Sequence, residues 1–476
     1  TAQYQAQDLE GALVTLGAAR AALEGFDLET EKEVDLVEAA VDVFLYLGMA
    51  QHKLGRAEDA LSSARRQVAL CERLRRDFPQ VPSYRGMLGA AEGSLATYLQ
   101  ATGAAAEARA ASRRAVALLE ELLRERPNDP MAKRSLIAHG QTLARGLFLD
   151  GQRTSLEEAL ARSRQIAELA QSDPQSRTFH VQAHGALQLL AEIERASAAM
   201  DGARDTALAA LELATSWTEK EPASFEAAAA VAVSAELGTR IAFESGANEE
   251  ASELLARGED ALERTRALRS KDRMLREVEL ALAKIAALLA VERGELAVAE
   301  AAATALAERE LEDGWRAAEA SAAVRSAIWR RSRSTEHARA AELALAEFLQ
   351  TMRARSPADR SRVPDRRAEA EAEIALAALL AARGENEDAL GILDQALPIL
   401  RELRPLAHHA PSAEVRLGEG AALRAELLLA RNEPEAALDE LERLAEELPA
   451  ALRAALASSG LRALEGQPRF EALRAR

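Results

Sequence analysis

A pattern that recurs every 48 residues constrains this chain of 476 residues more than any other feature. The stretch from Arg65 to Pro82 aligns with the stretch from Arg113 to Pro130, and ten of the 18 aligned positions are identical, including two prolines in each stretch. Self-similarity at such a period is typical of repeat architectures, in which each unit buries its apolar face only against its neighbours. The pattern therefore predicts an array of similar units rather than a single globular core.

Turn-forming residues recur in two series with the same spacing. The first series marks expected helix ends, because glycine and asparagine accept the left-handed backbone conformation; its members are Gly55, Gly103, Gly151, Gly202, Gly246, Gly294, Gly384 and Asn432, with one missing turn expected near 333–335. The second series lies about half a period away and consists of residues that cannot continue a helix: Pro79, Pro127, Pro174, Pro222, Pro357, Pro405 and Pro449, with 271–272 and 313–314 filling its gaps. Each period thus predicts two helices of roughly 20 residues joined by short turns.

Apolar residues between the turns are spaced as on one face of a helix. One such stripe is Ala60, Leu61, Ala64, Val68, Cys71 and Leu74, and its equivalent one period later is Ala108, Ala111, Ala115, Leu118 and Leu122. The expected fold class is all-α, an α-solenoid of helical hairpins. We expect a half repeat in residues 1–30, about nine hairpins in 31–449, and a capping helix and tail in 450–476.

Composition excludes several other classes. Aromatic residues make up only 3% of the chain, which argues against a β-rich fold. The chain has one cysteine, which excludes a disulfide scaffold or a cysteine-based zinc site. The net charge of −17 disfavours nucleic-acid binding. No apolar run approaches the ~20 residues of a membrane span, and no signal peptide is visible. We expect a cytoplasmic protein and, because residue 1 is Thr, a fragment or processed chain whose upstream part could carry an anchor.

The residues around Gly48 carry a family resemblance. Leu47 and Gly48 precede Ala60, which lies twelve residues after the glycine, and this spacing resembles the tetratricopeptide repeat. The same spacing recurs in two further pairs, Ala96 with Ala108 and Ala377 with Ala389. The resemblance implies a right-handed superhelix whose first helices line a protein-binding groove. The period of 48 departs from the family's ~34, so the helices are expected to be longer than usual, and the family's aromatic positions are mostly Leu or Ala here.

A narrower resemblance covers Arg65 to Arg134 and the tail from Pro468 to Arg474. The phrase Arg-Arg-x-Val-Ala-Leu-x-Glu-x-Leu, followed by Pro-x-x-Pro, is similar to repeats that trail bacterial serine/threonine protein kinases, notably of planctomycete type. The chain itself has no Gly-rich loop, no His-Arg-Asp and no Asp-Phe-Gly motif. The resemblance therefore implies a non-catalytic sensory or substrate-docking region whose kinase domain precedes Thr1. The alternative is a free-standing adaptor or assembly protein with no kinase attached.

Few side chains offer catalytic or metal-binding chemistry. His180 and His184 are an i,i+4 pair that could share a metal ion. However, Val181 stands where a metalloprotease carries its general base, and no third ligand lies nearby in sequence. A structural role is therefore favoured for both histidines. Cys71 lies on the apolar stripe and is expected in the core. We expect no catalytic residue and no cofactor.

One basic segment stands out in this acidic chain. Residues 314–367 contain twelve arginines against six acids and hold two of the three tryptophans. Arg and Trp are favoured at interface hot spots. Two interpretations stay open: a solvated basic face at an irregular junction, or a docking site for an acidic partner formed by Trp315, Arg325, Trp329, Arg330, Arg331 and Arg333. The expected partners are proteins, including acidic peptides or kinase substrates, whereas RNA is disfavoured because stacking aromatics are few. The sequence leaves the oligomeric state open.

Overall fold

The computed structural model describes residues 8–150, 153–171, 177–197, 199–269, 272–309, 314–355, 363–403, 411–448, 452, 455–456 and 459–475. In these ranges the chain is built of α-helices and one short 3-10 helix, with no strand. None of these helices has the length and apolar content that a bilayer crossing requires. The chain divides into two compact units, one reaching Leu190 and the other beginning at Ala191, and each is described by itself.

The helices follow one another in hairpins along the chain. Those up to the division are α1 (Leu9–Leu23), α2 (Val34–Lys53), α3 (Ala57–Asp77), α4 (Pro82–Ala101), α5 (Ala105–Glu125), α6 (Pro130–Asp150), α7 (Arg153–Gln171) and α8 (Arg177–Ala196), in which the division falls. The later helices are α9 (Met200–Lys220), α10 (Phe225–Glu244), α11 (Asn248–Leu268), α12 (Arg273–Arg293), α13 (Leu296–Ala307), α14 (Gly314–Ser332), α15 (Thr335–Arg353), α16 (Val363–Ala382), α17 (Asn386–Leu403), α18 (Pro411–Ala430), α19 (Pro434–Glu447), the 3-10 helix (Ser459–Leu464) and α20 (Pro468–Arg474). Most have 18 to 21 residues, although α13 has only 12.

Even-numbered helices from α2 to α18 are the first helices of the hairpins, and the odd-numbered helices that follow are the second helices. In the first unit, α2 packs on α3, α4 packs on α5, and the first helices α4 and α6 also contact each other. In the second unit the first helices α10, α12, α14, α16 and α18 pack side by side in chain order, each also contacting the second helix of its own hairpin. This nearest-neighbour packing confirms the predicted all-α solenoid.

The turns confirm most of the first predicted series. Left-handed backbone conformations occur at Gly55, Gly103, Gly246, Gly294, Gly384 and Asn432, and the missing turn is supplied by Arg333, whose φ is 54°. The turn predicted at Gly202 is wrong, because that glycine lies in the first turn of α9. A Cβ there would lie 3.4 Å from Oε1 of the buried Glu194, an ordinary contact distance, so Gly202 packs beside a carboxylate of the preceding helix. Other predicted turn positions lie outside the described residues, namely Gly151, Pro174, Pro357, Pro405, Pro449, 271 and 313.

The core lies between the helices of each hairpin and its neighbours. All six residues of the first predicted stripe are buried, and Ala60 and Cys71 have no exposed surface. Gly48, which carries the family resemblance, lies against the next hairpin: a Cβ built on it would be 3.2 Å from Cε2 of Tyr98. A larger residue at this position would require the Tyr98 ring to shift, so the glycine favours close approach of the two helices.

Candidate functional site

Three successive first helices of the second unit, α14, α16 and α18, border an open groove with a volume of 520 Å³. Its floor is apolar and consists mainly of short side chains of α16, with Leu423 and Leu427 contributed by α18. The lining residues of α16 are Ile374, Ala375, Ala378, Ala381 and Ala382. Because most of these side chains end at Cβ, they leave room for a ligand over α16.

Charged side chains stand along the rim of the groove. Oε2 of Glu419 lies 2.6 Å from Nη1 of Arg416 and 4.0 Å from Nη1 of Arg330, so one carboxylate is shared by two guanidinium groups. Burial lowers the pKa of Arg330 to about 10, and the neighbouring positive charge of Arg416 acts in the same direction. Arg330 therefore stays charged at neutral pH, with 36% of its side chain exposed to solvent.

Three further residues complete the α14 side of the groove. The guanidinium carbon of Arg333 lies 5.2 Å from the ring centroid of Trp329, which is itself buried. Ser326 is 4% exposed, and its Oγ has no hydrogen-bond partner in the described part of the chain. A buried hydroxyl without a partner is uncommon in native proteins, because it loses its bonds to water without replacement.

The structure divides the six predicted docking residues into two sets. Trp329, Arg330 and Arg333 line the groove. Trp315 lies at the other end of α14 beside the guanidinium groups of Arg316 and Arg355, with ring-centroid distances of 5.6 and 5.1 Å. Arg325 contacts Glu300 of α13 and donates to Thr304 Oγ1 at 3.0 Å. Arg331 is exposed and does not line the groove.

The other candidates lie in the first unit. His180 and His184 are both buried on α8, and within the described ranges no three potential ligands gather around a metal position. Cys71 is buried in α3, and burial raises the pKa of its thiol to about 12. A thiol that keeps its proton is a poor nucleophile, so this cysteine has the properties of a packing residue.

Comparisons with known proteins bear on the fold. The apo form of RapI aligns with a TM-score of 0.52 at 14% identity, covering 85% of this chain and 96% of RapI. BtubC from P. vanneervenii aligns with a TM-score of 0.32 at 17% identity, covering 62% of this chain and 91% of BtubC. A human IFIT1 dimer with PPP-AAAA aligns with a TM-score of 0.29 at 14% identity, covering 91% of this chain and 96% of IFIT1. No protein-family model and no curated protein matches the sequence. The likeness to RapI supports a tetratricopeptide-like fold.

Sequence reasoning missed the residues that α16 and α18 contribute to the groove. The signal that could have found them is the period itself, because Arg330, Ala378 and Glu426 are spaced by 48 and all three line the groove. Equivalent positions of successive first helices stand side by side in a solenoid. Sampling the chain at the repeat period would therefore have extended the candidate site from one helix to three.

Proposed function

We propose that this chain is a non-catalytic protein-binding scaffold whose first helices hold a segment of a partner protein. The observation that supports this most is the groove across α14, α16 and α18, which combines an alanine-rich floor with charged side chains on its rim. Solenoids expose extended surfaces of this kind because each repeat adds an equivalent strip to the same face. Concave apolar surfaces with a few placed polar groups are the usual form of a binding site.

The resemblance of Arg65 to Arg134 to kinase-associated repeats gives this scaffold a context. We infer a sensory or substrate-docking region of a bacterial serine/threonine kinase, working in the cytoplasm, with the groove holding the segment to be recognised. The sequence encoded upstream of Thr1 tests this context. A Gly-rich loop, His-Arg-Asp and Asp-Phe-Gly there support it, whereas a start codon and further repeats contradict it and favour the free-standing adaptor.

The binding function itself is tested by selecting random peptides displayed on phage against the purified chain. A long charged side chain at Ala378→Arg should fill the floor of the groove and abolish binding of the selected peptides. Leu343→Arg is the matched control, because Leu343 is 65% exposed on the second helix α15. Circular dichroism of both variants checks that the fold is retained. Selected peptides that bind both variants equally, or a selection that yields no binder, would contradict the proposal.

A further inference from the structure

The groove has more positive charge than its own carboxylates neutralise. Arg330, Arg333 and Arg416 line it with two carboxylates, Glu419 and Glu426. Glu419 lies much closer to Arg416 than to Arg330. Glu426 lies beside the C-terminal segment, where a Cβ on Gly460 would be 2.6 Å from its Cδ. Arg330 is therefore a partly exposed cation whose nearest ion-pair contact among the described residues is at 4.0 Å.

Ser326 adds an independent observation on the same helix. It lies one helical turn before Arg330, so both side chains face the same side of α14. The unpartnered hydroxyl is a donor as well as an acceptor. A guanidinium short of negative charge and a hydroxyl short of a hydrogen bond would both be satisfied by one anionic oxygen group in the groove.

Beside these polar groups lies the apolar floor of α16. Ala375, Ala378 and Ala382 present only methyl groups to the groove. They offer no hydrogen bonds, so they suit an aliphatic side chain of the ligand. Neighbouring helices pack about 8 to 10 Å apart, so the groove spans about 20 Å from α14 to α18. An extended peptide covers this distance with about six residues.

We propose that the groove binds a short extended segment of a partner protein in which an Asp or Glu lies next to aliphatic residues. The carboxylate is seated between Arg330 and Ser326, and the aliphatic side chains lie on Ala375, Ala378 and Ala382. This proposal rests on the proposed binding function and names the chemical class of the partner.

A single carboxylate fits the site better than other anions do. A phosphate carries nearly two charges at neutral pH and is best held by several free donors. Here Arg416 is engaged by Glu419, and Arg333 lies over Trp329. A nucleic acid would require exposed aromatic rings for stacking, whereas Trp329 is 6% exposed.

Fluorescence polarisation with synthetic peptide mixtures tests the proposal. Each mixture contains labelled peptides of about ten residues in which every position is randomised between Leu, Ile or Val and one second class of residue, so that both kinds of side chain also occur on the same face of an extended peptide. The second class is Asp and Glu in the first mixture, Asn and Gln in the second, Lys and Arg in the third, and phosphoserine in the fourth. We expect the acidic mixture to bind most tightly, and its affinity to fall as salt rises from about 50 to 300 mM, because screening weakens charge contacts.

Three variants assign the binding to the named side chains. Arg330→Gln should weaken binding of the acidic mixture about tenfold, since it removes a charge-assisted contact. Arg331→Gln removes the same charge from the adjacent residue outside the groove and should change the affinity less than about twofold. Ser326→Ala should weaken binding severalfold while leaving the melting temperature unchanged or higher, because it removes a buried hydroxyl that lacks a partner. A loss of peptide affinity without a loss of thermal stability distinguishes a binding role of Ser326 from a structural one.

The binding experiments distinguish failure of the acidic-segment proposal from failure of the scaffold function. Equal binding of the neutral or basic mixture, preference for the phosphoserine mixture, or equal losses in Arg330→Gln and Arg331→Gln overturn the acidic-segment proposal. If selected peptides still lose binding in Ala378→Arg in that case, the scaffold function stands and only the class of partner is wrong. If no peptide mixture binds and Ala378→Arg has no effect on any selected peptide, both proposals fail together.

Discussion

The guanidinium of Arg333 lies over the ring of Trp329 at the end of α14, with the guanidinium carbon 5.2 Å from the ring centroid. Arg333 occupies a turn position that glycine holds in five other hairpins, and its φ of 54° is unusual for a residue with a side chain. The contact with Trp329 therefore compensates part of the backbone strain while keeping a cation at the rim of the groove.

This relationship predicts an order of stabilities at position 333. Arg333→Gly loses the cation–π contact, worth about 0.5–1 kcal/mol, but relieves strain of roughly 1 kcal/mol, so we expect a net change below about 1 kcal/mol. Arg333→Val loses the contact and keeps the strain, so we expect a loss of about 1–2 kcal/mol. Urea denaturation followed by circular dichroism measures both. At the neighbouring helical position the order should invert, with Arg331→Gly less stable than Arg331→Val. The same order at both positions would contradict this account.

Close approach of two first helices makes a second prediction. A Cβ built on Gly93 of α4 would lie 2.1 Å from Nδ1 of His139 on α6. Gly93→Ala should therefore destabilise the protein by about 1–3 kcal/mol, although alanine favours a helix. Gly17→Ala in α1 is the matched control, because nothing lies within 4 Å of its Cβ position, and it should stabilise by up to about 1 kcal/mol. Thermal unfolding measures the change in stability of the two variants. A stabilising Gly93→Ala would contradict the prediction, because it would show that α4 and α6 can move apart at no cost.

The same histidine predicts a dependence of stability on pH. Burial lowers the pKa of His139 to about 4 from its ordinary value of 6.5. Below pH 6.5 the His139 imidazole binds a proton in the unfolded chain but stays neutral in the folded chain. The free energy of unfolding therefore falls as the pH decreases from 6.5 to about 4. In His139→Gln this contribution is absent, so the wild type's stability relative to the variant should decline by up to about 2 kcal/mol between pH 7 and pH 4.5. An unchanged difference in stability between wild type and variant at the two pH values would contradict a neutral imidazole in the folded chain.

Buried charge near the C-terminus gives a fourth prediction. Glu440 of α19 is 3% exposed, accepts a hydrogen bond from Nη1 of Arg424 at 3.1 Å and also contacts Nη2 of Arg401. Glu440→Ala removes the buried counter-charge that these two guanidinium groups share. They keep the more exposed Glu447 and Asp394, so we expect a loss of about 1–3 kcal/mol. Glu435→Ala breaks the exposed pair with Arg469 and should cost less than about 1 kcal/mol. Similar losses in the two variants, measured by urea denaturation, would mean that burial does not set the strength of these pairs.

Local signals in the sequence were sufficient to predict the hairpins. Gly55, Gly103 and Asn432 fix turns through their own backbone preferences, so a reader of the sequence can place them without knowing the packing. Gly202 has the spacing of this series but lies inside α9, beside the carboxylate of Glu194 on the preceding helix. Spacing alone cannot distinguish a glycine that forms a turn from one that lies within a helix.

The candidate site was predictable only on one of its three helices. The density of arginine and tryptophan indicated α14, and Trp329, Arg330 and Arg333 do line the groove. Proximity in sequence could not separate them from Arg325, which turns toward Glu300, or from Arg331. The hydroxyl of Ser326 carries no sequence signal at all, because a buried serine in a helix usually bonds to its own backbone.

The most direct test of the central claim, that the groove of α14, α16 and α18 holds the partner segment, is site-specific photocrosslinking. A photoreactive amino acid is placed at Ala382, an exposed residue of the groove, or at Leu343 on α15. Each protein is then irradiated with a labelled peptide from the selection. The account predicts a cross-linked product from position 382 and none from position 343. Cross-linking from position 343, or from neither position while the peptide is bound, would contradict it.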